Sequence, residues 1–129
     1  MLEFISNVHL LTYYQVVMVS TIAVVWGIIC WRRGIYTDGL RSILYVTAGT
    51  GAMQALLGTI LFLAGCRPTN ILHLVYGGII LLGIPVAYAY ISEKITKRDL
   101  AVLAFTAFAI LAAAFRAYST GIGGSCPGN

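Results

Sequence analysis

The chain is short of charge. Of its 129 residues, 9% are charged, where soluble domains carry about 25%. With 60% hydrophobic residues and a mean hydropathy of +0.91, it has too little polar surface to coat a water-soluble globule. Acids are scarcest: Glu3, Asp38, Glu93 and Asp99 are the whole set, and each falls in a loop or at a helix end. No two of them can share acid–base work within the apolar segments, and no charged residue falls mid-span to serve an ion pump. The three cysteines include no C-x-x-C pair, which argues against a thiol oxidoreductase. H-E-x-x-H, G-x-S-x-G and phosphate-loop patterns are missing as well. Gly49-Thr50-Gly51 lies inside an apolar run and reads as packing.

What is present is apolar length. Four runs, at about 8–31, 42–66, 71–91 and 98–118, approach or exceed the roughly 20 residues that cross a bilayer. Short connections favour antiparallel neighbours, so the expected fold is all-α. It is an integral membrane, up-down-up-down four-helix bundle forming one domain over 1–129. Arg32, Arg33 and Arg41 flank the first connection, and Lys94, Lys97 and Arg98 flank the third. Only Arg67 and Arg116, of eight basic residues, fall on the other side. That asymmetry is the positive-inside bias and predicts both termini extracytoplasmic, in the inner (cell) membrane if the source is prokaryotic. These cations are short-loop anchors, so no nucleic-acid partner is expected. The first run is full length and ends Trp31-Arg32-Arg33, which reads as a retained span and not a signal peptide.

Local signals place the elements. Asn7 is a candidate cap for the first helix, which would put His9 in its first turn. Gly34, Asp38 and Gly39 supply turn chemistry. Pro68 breaks the chain before Asn70, a candidate cap of the third helix, and Pro85 is expected to kink that helix. Thr96 and Asp99 form a capping-box pair opening the fourth. His9, Tyr13, Val16, Ser20 and Gly27 make the least greasy face of the first helix and should look inward. Gly51, Ala55 and Gly58 on the second helix, with Ala109, Ala113 and Ala117 on the fourth, are small-residue faces. Such faces suit close helix contact, either within the bundle or with other subunits or copies. Gln54 is too polar to stand unpaired in hydrocarbon and needs a partner.

The unusual polar groups gather toward one end. His9 and His73 are the only histidines, they start helices running in the same direction, and their depths should match within about a turn. Arg67, Arg116, Tyr13 and Tyr76 fall near that level, with Tyr14 and Tyr118. Two neutral imidazoles on facing helices can supply both axial positions of a haem b iron, with arginines pairing its propionates. One imidazole can bind a chlorophyll magnesium, and a histidine, a tyrosine and an arginine can hold quinone carbonyls. The alternative is that these histidines and tyrosines are interfacial anchors. Arg116 either snorkels to the outer headgroups or pairs with Glu3. Cys66 and Cys126 share the oxidising side and are either bridged or two free thiols, the second in a loose glycine-rich tail, Gly121–Asn129. Cys30, at the inner end, is expected to stay reduced.

In helix count and in paired outer histidines, the chain resembles four-helix b-type cytochromes. The resemblance covers His9, His73 and the number of helices. Those families carry more histidines, set deeper, so it implies at most one haem here. The minimal extramembrane mass and missing catalytic set lead to a different expectation: a non-catalytic subunit or assembly partner of a larger, energy-transducing membrane complex. Haem, pigment or quinone binding for electron transfer is the alternative.

Overall fold

A computed structural model describes residues 1–128. It contains four helices: α1 (Leu2–Arg33), α2 (Asp38–Leu63), α3 (Leu72–Tyr90) and α4 (Lys97–Gly121). All four are long and apolar enough to cross a membrane. Each helix packs on the helices next to it in sequence, and α1 packs on α4, which closes a bundle with α1 and α3 on one diagonal. The starts of α1 and α3 meet at one end, where His9 lies against His73. The ends of α2 and α4 share that end, where Cys66 is joined to Cys126 by a disulfide. At the opposite end the hydroxyls of Tyr36, in the first connection, and Tyr88 are hydrogen bonded at 2.8 Å. The first and third connections, with their flanking cations, lie at this basic end.

The core is a line of inward side chains on each helix. Val16, Ala23, Leu44, Ile84, Leu103 and Ile110 are buried within it. Much of the small-residue pattern is used up inside the bundle. A Cβ on Gly27 would stand 3.1 Å from the Ala104 backbone, and one on Gly51 would stand 2.8 Å from the Ile80 carbonyl oxygen. Helices in lipid gain nothing from burying apolar surface against each other, so this close backbone approach, which maximises dispersion contact, is what holds α1 to α4 and α2 to α3. Hydroxyls on these faces bond to their own helix: Ser20 donates to the Val16 carbonyl at 2.6 Å and Thr47 to that of Ile43 at 2.7 Å.

The helix ends carry the chemistry that stops them. Gly34 ends α1 in the left-handed conformation, at φ 68°, and its N–H reaches back to the Cys30 and Trp31 carbonyls. Thr37 caps α2 by accepting from the Leu40 N–H at 3.1 Å. It also accepts from the Trp26 indole at 3.2 Å, so the tight connection is tied to α1. The expected capping box of Thr96 and Asp99 is present at α4. Asn70, expected to cap α3, accepts from the Leu72 N–H at 2.9 Å, but the cap position is Ile71, which makes no side-chain cap bond. Asp38 and Gly39, expected in a turn, belong to α2, because Thr37 takes the cap position before them. α3 runs as one helix through Pro85.

Two further sequence expectations change. α1 begins at Leu2, not near residue 8, and its cap position is Met1 and not Asn7. His9 therefore lies about two turns into the helix. Glu3 sits in its first turn, where a carboxylate complements the unpaired N–H groups. The glycine-rich tail is not loose: Ser125 and Arg67 exchange backbone hydrogen bonds of 2.7 and 3.0 Å, and Thr69 donates to the Ile122 carbonyl at 2.6 Å. Of that expected tail, Asn129 lies outside the described residues.

Candidate functional site

The His9 and His73 rings stand 6.2 Å apart between centroids, edge to face, with an interplanar angle of 63°. They belong to diagonal helices, so they meet inside the bundle and not along a helix–helix seam. What lets them meet is the absence of side chains on the flanking helices. His9 lies on α2 at Gly58, where a Cβ would be 3.2 Å from its Cε1. His73 lies on α4 at Gly121, where a Cβ would be 2.6 Å from its Cε1 and Nδ1.

Each ring has a different second contact. His73 donates from Nδ1 to the Ala117 carbonyl at 2.7 Å. That bond fixes the ring and its tautomer and leaves Nε2 with its lone pair, the state in which an imidazole can accept a hydrogen bond or bind a metal. His9 belongs to a small polar network with α2. The Thr12 hydroxyl shares its one hydrogen between two acceptors, the His9 backbone carbonyl and Gln54 Oε1. That leaves the Gln54 amide nitrogen as the donor facing His9 Nε2, at 3.4 Å. The proton of a neutral His9 then sits on Nδ1, which is buried and, among the described residues, has no partner. Gln54 thus finds the partners its polarity requires.

The other candidates disperse. Tyr13 stacks on Tyr118, with ring centroids 4.9 Å apart, and meets Tyr14 at 5.1 Å. Arg67 turns back to the end of α2, donating to the Phe62 and Cys66 carbonyls at 2.7 and 2.9 Å, and lies over the Phe62 ring. Arg116 is exposed and stands over the Tyr76 ring at 6.0 Å. It makes no ion pair with Glu3; among the described residues the ion pair is that of Arg41 with Asp38, at 3.2 Å. Cys30 is buried and free.

The donor set suits an axial imidazole at His73, whose Nδ1 is held by a carbonyl while Nε2 is free. The packing does not suit a porphyrin. Both rings rest on helix backbone at Gly58 and Gly121, so a macrocycle between them requires the helices to part. Arg67 and Arg116 are also engaged away from the pair. A small ligand with one acceptor asks for less, since His9 Nδ1 already offers a donor.

Sequence reasoning did not assign Thr12, Gln54, Gly58, Ala117 or Gly121 to this site. The signal was partly there: Gln54 and Gly58 are one turn apart on α2, and Thr12 is one turn from His9. Comparison with models of protein families, with curated proteins and with solved structures gives no match.

Proposed function

We propose that this chain is a non-catalytic, multi-pass membrane protein that serves as a subunit or assembly partner of a larger membrane complex. One observation carries the reading: large apolar side chains are exposed on all four helices, among them Met18, Leu56, Val86 and Phe105, while the connections between helices are too short to form a domain of their own. An exterior of that kind is covered by lipid or by other spans. The chemistry available outside the bilayer is confined to caps and turns. In this reading the spans alternate in direction and the histidine end and both termini are extracytoplasmic. The six cations at the basic end face the cytoplasm, across the inner membrane in a prokaryote. Affinity purification from native membranes in mild detergent tests it. Stoichiometric co-elution of other membrane proteins is the expected result, and recovery as a lone monomer overturns it.

A second reading is favoured by the unpartnered His9 Nδ1. A buried donor without an acceptor costs about 1–3 kcal/mol, and a bound group that accepts from it removes that cost. The histidine end would then hold a quinone, or haem b or another pigment after the helices part, for electron transfer. Absorbance spectra and extracted-cofactor analysis of protein from haem-replete cells decide this. A bound chromophore lost in both His9→Ala and His73→Ala supports the reading, and a colourless, quinone-free preparation rejects it.

A further inference from the structure

A trough lies open on the outer face of α3 and α4. It encloses about 430 Å³ and is walled by Val75, Leu82 and Val86 on α3 and by Phe105 on α4. Its floor is low because Gly78 and Ala109 stand there, and a Cβ added at Gly78 would meet nothing within 4 Å. From Val75 to Val86 the trough follows roughly 16 Å of helix rise.

Phe105, Ala109, Ala112 and Arg116 succeed one another at alternating four- and three-residue steps, which is one line along a helix. Arg116 therefore stands on the line of the trough, toward the histidine end. Its guanidinium lies over the Tyr76 ring, and among the described residues it has no carboxylate within ion-pair distance. The site combines an apolar channel parallel to the helix axes with an unpaired cation near the headgroup level. An anionic amphiphile has the matching polarity. A zwitterionic lipid brings its own cation to the same place. A second copy of this chain brings no acid at the matching depth, because Glu3, its acid at that end, lies roughly 9 Å of helix rise outward of His9.

We infer that the α3–α4 trough binds an anionic phospholipid, with an acyl chain along Val75–Val86 and the phosphodiester on Arg116. The inference requires the chain to be in a bilayer but does not require it to be a subunit of a complex.

Native mass spectrometry of the purified full-length chain in detergent tests it, with phosphatidylglycerol and phosphatidylcholine of identical acyl chains as the probes. Phosphatidylglycerol is expected to be retained about tenfold more: both phosphodiesters can accept from the guanidinium, but the choline of phosphatidylcholine sets a second cation close to it. Arg116→Gln should abolish the preference and Arg116→Lys should keep it. Ala109→Phe, which fills the trough, should reduce retention of both lipids. Helical circular dichroism establishes that each variant is folded. Equal retention of the two lipids by the unmodified protein overturns the proposal, as does a preference that survives Arg116→Gln. A dimer that Ala109→Phe dissociates while phosphatidylglycerol stays bound also overturns it, and makes a second copy the occupant. The comparison of the two lipids on the unmodified protein stands even if Arg116→Gln does not fold.

Discussion

At Gly121 the backbone of α4 serves as a surface for an imidazole. An added Cβ would lie 2.6 Å from His73 Cε1 and Nδ1, so Gly121→Ala must push the ring off the Ala117 carbonyl or separate α3 from α4. We expect it to destabilise the bundle by about 1–3 kcal/mol, the usual cost of overpacking. Gly49→Ala is the control: nothing lies within 4 Å of its added Cβ, and it should be neutral or gain up to about 1 kcal/mol from helix propensity. Thermal unfolding in detergent followed by circular dichroism compares them, and equal midpoints would contradict the packing. Gln54→Leu removes the group that joins Thr12 to His9. Its expected cost is about 1 kcal/mol, because interhelical hydrogen bonds in membranes are worth only about 0.6 to 1.7. An unchanged midpoint would show that the network contributes nothing. At this scale the sequence was half legible. The two histidines stood out by rarity and matched depth, and Gln54 by its need for a partner. That Gly58 and Gly121 leave room for the rings was not legible, because a glycine's role depends on what crosses it from another helix.

Among the elements, the segments after α2 and after α4 behave as one. The Cys66–Cys126 disulfide closes a loop with a sequence separation of 60, and the Arg67–Ser125 bridge and the Thr69–Ile122 bond lie beside it. A loop of that length is worth at most about 4 kcal/mol in the chain-entropy treatment; helices that stay inserted in the bilayer when unfolded are already restrained, so the gain is smaller. Cys126→Ser should therefore lower the unfolding midpoint without changing helical content, and should open residues 122–128 to protease. Circular dichroism and limited proteolysis check both effects, and a tail that stays protected would mean the backbone bridge holds it alone. The helices themselves were the most legible feature, since each is an apolar run bounded by charge or turn residues. Their ends were less so. Asn7 read as a cap because it directly precedes the first apolar run, yet Leu2, Phe4 and Ile5 continue the helix past it. The docked tail could not be anticipated from its glycines, because its order comes from Arg67, Thr69 and Cys66, which are distant in sequence.

For the molecule as a whole, the distribution of charge gives a definite expectation for which end faces the cytoplasm. Arg32, Arg33, Arg41, Lys94, Lys97 and Arg98 lie at or beside the end that carries the first and third connections, whereas the histidine end has Arg67 and Arg116. Arg67 is committed to the carbonyls that end α2, and Arg116 stands exposed over the Tyr76 ring. Positive charge in short loops resists translocation, so the basic end is expected inside and the histidine end outside. A disulfide at the histidine end agrees in sense with that orientation, because the extracytoplasmic side of a bacterial membrane is the oxidising one. Cysteine labelling in intact cells tests the orientation. In a Cys66→Ser, Cys126→Ser background, the remaining Cys30 is buried, and exposed Ser92 and Ser125 mark opposite ends. Ser125→Cys should react with a membrane-impermeant maleimide directly, and Ser92→Cys only after permeabilisation. The reverse pattern would place the histidine pair on the cytoplasmic side. It would remove the charge argument for orientation while leaving the bundle and its packing intact, because the contacts that hold the helices together are indifferent to which leaflet they face.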